Sequence, residues 1–253
     1  MNIQHLAQIL DDAARNAKST EQLSLTQSFT EQQAYEIQAA SITRRYNRGE
    51  KFIGIKMGFT SKAKMEQMGV HDMIWGVLTD RMLIKNGGEL LLDKYIHPRA
   101  EPEICFLVGK RIDRALTLEE AKDHVVGVTS AIEIIDSRYE NFKFSLEDVI
   151  ADNCSSAGLV IGTWQKPPDN LDRLKITLAF DGEVVQSGSS AAILDNPWES
   201  VVAATRLASQ YGLKLPIGSY IMAGAATPAM YLKKGMKVTS EVEELGNTSF
   251  SVV

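Results

Sequence analysis

The sequence predicts an α+β fold. Residues 1–50 carry apolar positions at helical spacing, and from residue 51 on short β-rich segments follow one another with few helices between them. That succession is not the pattern of a doubly wound parallel sheet. No Gly-x-Gly-x-x-Gly or Walker-type phosphate loop occurs to suggest one.

Taken in order, Ile3, Leu6, Ile9, Leu10 and Ala13 predict an amphipathic helix over 3–17. Thr30-Glu31-Gln32-Gln33 is a capping-box pattern that opens a second helix, continued by Ala34, Ile37, Ile42 and Tyr46 toward Arg48-Gly49. This 1–50 segment is too short to bury a core of its own and is expected to dock on a main domain spanning 51–253. Lys51–Thr60 reads as an apolar strand interrupted by Lys56, and Thr60-Ser61 as the cap of a short helix that Gly69 ends. Further strands are expected at Trp75–Asp80, at Glu89–Leu92 after the turn Asn86-Gly87-Gly88, at Glu101–Val108 and at Val125–Ile135. Thr117 caps a helix reaching His124. A polar-aromatic loop, 136–144, precedes the small, polar Ala151–Gly158 and a strand at Leu159–Gly162. Asp181-Gly182 joins Leu174–Phe180 to Glu183–Gln186 as a type I′ hairpin. Asn196-Pro197 starts a helix that runs to Tyr211. Strands at Ser219–Ala223, Val238–Val242 and Ser249–Val252 complete the chain.

Composition excludes several functions. A net charge of −5 with well-mixed signs offers no basic footprint for nucleic acid and no polybasic membrane patch. No apolar run approaches the length of a membrane span. Cys105 and Cys154 form neither a disulfide framework nor a zinc spacing, which suits free thiols in a reducing cytoplasm. Met1–His5 shows no basic n-region followed by an apolar stretch, so a cytoplasmic protein is expected.

The chemistry centres on Pro98-Arg99-Ala100-Glu101-Pro102-Glu103. In a strand, Glu101 and Glu103 point to the same side. They are either two solvated acids at a strand start or half of a site for a hard divalent ion, Mg²⁺ or Mn²⁺. Glu133, lodged between Ile132 and Ile134, is a third carboxylate in a run that should be buried. Lys56, between Ile55 and Met57, either faces solvent or is a buried cation that needs an anionic partner. Nucleophilic triads find no support: His5 and His124 fall on helices, His97 lies beside a proline, and no serine sits in a nucleophile elbow. His71 reads as either a site residue or a surface-loop histidine.

Four segments together resemble the fumarylacetoacetate hydrolase superfamily, in its hydratase/decarboxylase branch. They are Gly54-Ile55-Lys56-Met57-Gly58-Phe59-Thr60, Pro98-x-x-Glu101-x-Glu103, Glu133–Arg138 and Ala151–Ser156. The resemblance spans residue 30 to the C-terminus. It implies a mixed β-roll, a Mg²⁺ or Mn²⁺ ion on Glu101, Glu103 and Glu133, and a small 2-oxo dicarboxylate or dienoate substrate of aromatic meta-cleavage catabolism. Lys56 is then the catalytic cation, and Ser155, Thr227, Arg138 and Ile74 line the substrate site. For Arg138, a structural ion pair with a neighbouring acid is an equal alternative.

Two activities share the scaffold. The segments Lys56–Val70 and Ser137–Phe144 look like the members that decarboxylate 2-oxo-3-hexenedioate (4-oxalocrotonate). Members that hydrate 2-hydroxypenta-2,4-dienoate carry an acid where this chain has Ile74. Decarboxylation is therefore the expected reaction, with hydration or a partner-supporting, dienoate-binding role as alternatives. The resemblance further implies a homo-oligomer and a complex with the pathway hydratase. Trp75 and Ala223–Thr227 depart from the family pattern.

Overall fold

The computed structural model describes residues 1–61, 65, 66 and 72–253. The helix expected from Thr60 to Gly69 and the alternatives for His71 lie largely outside these residues. The chain opens with helices α1 (Ile3–Asn16) and α2 (Glu31–Asn47); the Thr30 hydroxyl and the Gln33 side chain cap α2 reciprocally. Among the described residues thirteen strands follow: β1 (Phe52–Gly58), β2 (Ile74–Thr79), β3 (Leu83–Ile84), β4 (Gly88–Leu90), β5 (Arg99–Val108), β6 (Val125–Ile135), β7 (Ser156–Ile161), β8 (Lys175–Phe180), β9 (Glu183–Ser189), β10 (Tyr220–Ala225), β11 (Met230–Tyr231), β12 (Lys237–Val242) and β13 (Gly246–Val252). Helices Leu118–His124, Leu146–Ala151 and Pro197–Gln210 sit between them.

The larger sheet runs β2-β1-β10-β5-β6-β7-β3, with β11 added beside the start of β5. It is mixed: β1 and β10 are parallel, as are β3 and β7, and the other pairs are antiparallel. The smaller sheet runs β4-β13-β12-β8-β9. Its β8–β9 hairpin turns on Asp181 (φ 52°) and Gly182 (φ 89°), both left-handed as a type I′ turn demands. Asn86-Gly87 also makes a turn, but it links β3 in one sheet to β4 in the other instead of closing a hairpin.

Strand alternation sorts the core. Ile55, Met57, Ile104, Phe106 and Val128 join Leu6, Leu10, Ile37 and Val201 on one face of the larger sheet. Ala100, Ile132, Ile134 and Val160 continue that face against Leu178, Val238 and Phe250 of the smaller sheet. The opposite face encloses a small core of Leu78, Met82, Cys105, Ala131, Leu159 and Met222. It is enclosed because the sheet curls until its ends meet. The Asn153 side chain, in the turn before β7, accepts a hydrogen bond from Val77 N of β2 (2.7 Å) and donates to Val77 O (2.9 Å). The helices that open the chain are tied to this roll by Gln38, whose amide donates to Trp75 O and Ile150 O. The 136–144 loop is less polar in place than its composition suggests: Arg138 and Tyr139 are both buried, and the Tyr139 hydroxyl donates to Asp148 O.

Candidate active site

The inner face of the roll carries charge at one end of its small apolar core. In the β5–β6 register Glu101 lies opposite Glu133, and Glu103 lies two pairs further along, opposite Ala131. Carboxylate oxygens of the three residues lie within 4.8 Å of one another. Glu103 and Glu133 are fully buried. Lys56 comes from β1 on the same inner face. Its ammonium sits 2.8 Å from Glu133 Oε2 and donates to Cys154 O (3.3 Å).

The electrostatics follow from this crowding. Burial, then Glu133, raises the Glu103 carboxyl well above the ordinary range. Burial pulls the Lys56 ammonium down, but Glu133, Glu103 and Glu101 outweigh it and hold its pKa above the usual value. One oxygen of Glu103 accepts from Gly224 N (2.9 Å), while the other, Oε1, is buried and has no partner among the described residues. A buried carboxylate oxygen with no donor calls for a cation or a proton. Three carboxylates converging with an open oxygen fit a hard divalent ion, which prefers oxygen ligands.

Two hydroxyls on segments adjoining the cluster are buried and, among the described residues, without a hydrogen-bond partner: Ser155 Oγ and Thr227 Oγ1. Ser155 follows Cys154, whose carbonyl meets Lys56. Asn153, Cys154 and Ser155 are consecutively left-handed (φ 51°, 53° and 59°), a strained turn of the kind found where backbone is fitted around a site. Thr227 lies just past the end of β10, where Ala225 pairs with Glu103. Ile74 starts β2. It pairs with Gly58 and packs over it, so that a Cβ at Gly58 would lie 2.9 Å from Ile74 Cγ1. Because Lys56 pairs with Gly76, alternation puts Ile74 on the Lys56 face.

Arg138 is placed differently from the substrate-binding role expected of it. Its guanidinium is buried and consumed by protein acceptors: the Asp152 carboxylate, the carbonyls of Asp136 and Asp152, and Ser156 O at 3.1 Å. Asp152 also accepts from Arg138 N (3.0 Å), and burial pushes its carboxyl up to about 6 in spite of the guanidinium. Arg138 therefore holds the strained 152–156 turn from beneath, and the ion-pair alternative is the one realised. Three contributors escaped the sequence reading. Gly224 anchors Glu103 through its N–H. Its φ of +106° and the Thr60 side chain, 2.0 Å from where a Cβ would sit, leave room only for glycine. Ser156 donates weakly to Glu133 Oε1 (3.4 Å), and Asp152 orients Arg138. Asp152 and Ser156 were visible in sequence only as members of the Ala151–Ser156 segment, and Gly224 only as the glycine after the strand expected at Ser219–Ala223.

Comparison with known proteins agrees with this geometry. A 4-oxalocrotonate decarboxylase from Pseudomonas sp is 52% identical over 251 residues, covering 99% of this chain and 98% of the relative. The 2-hydroxyhexa-2,4-dienoate hydratase of Comamonas testosteroni is 30% identical, covering 98% of this chain and 96% of the relative. Among solved structures, 4-oxalocrotonate decarboxylase from Pseudomonas putida G7, complexed with magnesium and adipate, superimposes with a TM-score of 0.95 at 33% identity over 99% of this chain and 97% of that one. The fumarylacetoacetate (FAA) hydrolase C-terminal family matches residues 53–253, the stretch that builds the roll and all three clustered glutamates, and the chain belongs to that family.

Proposed function

We propose that this chain is a metal-dependent carboxy-lyase that converts 2-oxo-3-hexenedioate to 2-hydroxypenta-2,4-dienoate and CO₂. The carrying observation is the buried Glu101–Glu103–Glu133 cluster with the Lys56 ammonium against it, in a chain whose relative of 52% identity is a 4-oxalocrotonate decarboxylase. Glu101, Glu103 and Glu133 hold Mg²⁺ or Mn²⁺. The bound ion supplies a Lewis acid that draws electron density toward the C2 oxygen of the substrate.

The leaving carboxylate stands in a vinylogous β-keto relation to C2. As its bond to C5 breaks, the electron pair moves through the alkene to the C2 oxygen and CO₂ departs. Lys56 Nζ, kept protonated by the carboxylates around it, places positive charge beside that oxygen and holds the proton that turns the dienolate into the dienol. The unpartnered hydroxyls of Ser155 and Thr227 donate to the substrate's carboxylates. Ile74 walls the departing end with apolar surface, so the charged reactant is solvated poorly there while neutral CO₂ is not penalised. The same apolar residue disfavours hydration, which needs a group that handles water at the far end of the diene.

In this reading residues 1–50 are a docked helical segment and 51–253 the catalytic domain. We further propose a cytoplasmic homo-oligomer. The buried free thiols of Cys105 and Cys154 suit a reducing compartment, and the exposed side chains of Leu83, Leu91, Val126 and Ile217 offer apolar surface to a second copy. The product is an unstable dienol that a hydratase consumes, which favours association with that enzyme. The deciding experiment incubates the purified chain alone with 2-oxo-3-hexenedioate, before and after chelation and re-addition of Mg²⁺. CO₂ release that depends on the ion supports the proposal; no release in either state, or rapid hydration of 2-hydroxypenta-2,4-dienoate instead, overturns it.

A further inference from the structure

A neutral site does not explain how a dianion is recognised. Among the described residues, three carboxylates, the Lys56 ammonium and one divalent ion sum to no net charge, and Arg138 is consumed by Asp152 and backbone carbonyls. Among the residues of β5 and β6, Arg99 alone is basic. It occupies the first position of β5, two residues before Glu101 and four before Glu103, so alternation gives it the same face as both glutamates. Two residues of strand place its backbone about 6.7 Å from that of Glu101.

The guanidinium is held in place without being neutralised. It lies between the rings of Phe142 (3.9 Å to the centroid) and Tyr231 (4.1 Å). Tyr231 also pairs with Arg99 in the β5–β11 register and accepts from its Nη2. Among the described residues no carboxylate forms a salt bridge with Arg99, and its Nε is buried with no acceptor. Aromatic faces orient a planar cation at little cost to its charge. A half-buried arginine with an unmatched N–H and two rings fixing its plane is prepared for an anion, and a planar carboxylate matches its donor fork.

We propose that Arg99 binds the 1-carboxylate of the 2-oxo acid substrate. The assignment to that end follows from the strand order. Arg99 and two of the three clustered glutamates share β5, whereas Ile74, on the Lys56 face of β2, lies at the end of the sheet, three strands from β5. A 2-oxo acid held with its 1-carboxylate at Arg99 directs its departing carboxylate toward the Ile74 wall. The identity of the substrate rests on the decarboxylase reading, but the Arg99 assignment requires only a 2-oxo acid.

The test is therefore binding of 2-oxopentanoate, which keeps the 1-carboxylate and 2-oxo group and has no second carboxylate, measured by calorimetry with Mn²⁺ present. Arg99→Gln is expected to weaken it by about 10- to 100-fold, the loss of a charge-assisted hydrogen bond. Mn²⁺ affinity and melting temperature should stay at wild-type values. Arg99→Lys should recover part of the loss. With 2-oxo-3-hexenedioate, KM should rise more than kcat falls. Unchanged 2-oxopentanoate binding in Arg99→Gln overturns the proposal, and if KM for the dicarboxylate rises alone, Arg99 serves the other carboxylate. An equal fall in Mn²⁺ affinity also overturns it, because the effect then runs through the glutamates. If wild type binds 2-oxopentanoate but releases no CO₂, the decarboxylase reading fails while the Arg99 assignment is still decided by the variant.

Discussion

Lys56 Nζ lies 2.8 Å from Glu133 Oε2, with both side chains sealed from solvent, so this buried cation sits against acids that a divalent ion would also neutralise. The ammonium and the ion therefore compete for the same negative charge. Replacing Lys56 with Met removes one competitor. Mn²⁺ affinity is expected to hold or rise, while CO₂ release falls by about 100-fold or more, the scale of losing a positioned acid and its charge. Titration of Mn²⁺ by electron paramagnetic resonance alongside the CO₂ assay separates the two effects. A joint loss of metal binding and activity would reduce Lys56 to a structural counter-ion.

Glu103 offers one oxygen to Gly224 N and keeps the other open. Glu103→Gln preserves shape and can still accept from Gly224, but an amide has little attraction for a hard cation. Activity should be abolished with the circular dichroism spectrum unchanged, and Mn²⁺ affinity should drop by at least about tenfold. Near-wild-type turnover and metal affinity in this variant would refute the ligand assignment.

How far the site could be read from sequence depended on which interactions leave a trace in residue order. Glu133 and Lys56 were legible because a charge inside a β-branched or apolar run needs a partner. Glu101 and Glu103 were legible because period-two spacing puts them on one side. That Glu101 faces Glu133 was not, since the register of β5 on β6 is set by the helix-containing connection between them and the bulge between Leu107 and Val108. The use of Arg138 was beyond reach for a similar reason: three of its acceptors are backbone carbonyls, and any residue can supply a carbonyl. Of the fold, strands and capped helices emerged near their sequence positions because Thr30, Thr117 and Asn196 mark helix starts chemically. The curling that closes the roll brings the turn before β7 against β2, where Asn153 bonds to Val77 and Cys154 to Trp75 O, and nothing local announces it.

Arg138 and Asp152 make a buried pair on which the 152–156 turn rests. Removing one partner of such a pair strands the other, which typically costs about 3–5 kcal/mol. Arg138→Met is expected to lower stability in urea unfolding by that amount and, in whatever fraction stays folded, to disturb Ser155 and the Cys154 carbonyl that meets Lys56. The double variant Arg138→Met/Asp152→Leu should regain much of the stability without regaining activity. A single variant with wild-type stability would mean that the turn is held by other contacts.

Ile74 decides between the two reactions that share this scaffold. It lies on the Lys56 face of β2, buried and packed over Gly58, with no polar side-chain atom of its own. An apolar wall gives the departing carboxylate little solvation, and neutral CO₂ loses nothing by leaving into it, so the difference lowers the barrier to bond breaking. Ile74→Asp sets a negative charge beside that carboxylate. Repulsion should weaken substrate binding, and burying an unpaired carboxylate should cost stability as well. Ile74→Asn is therefore the companion variant, polar but uncharged. Most CO₂ release from 2-oxo-3-hexenedioate should be lost in Ile74→Asp and less in Ile74→Asn, with melting temperatures reported for both. The new acid also supplies what hydration of 2-hydroxypenta-2,4-dienoate needs, a group that can orient water and pass a proton, so traces of hydratase activity are expected in Ile74→Asp alone. Equal decarboxylation by wild type and both variants would remove Ile74 from the departing end of the substrate.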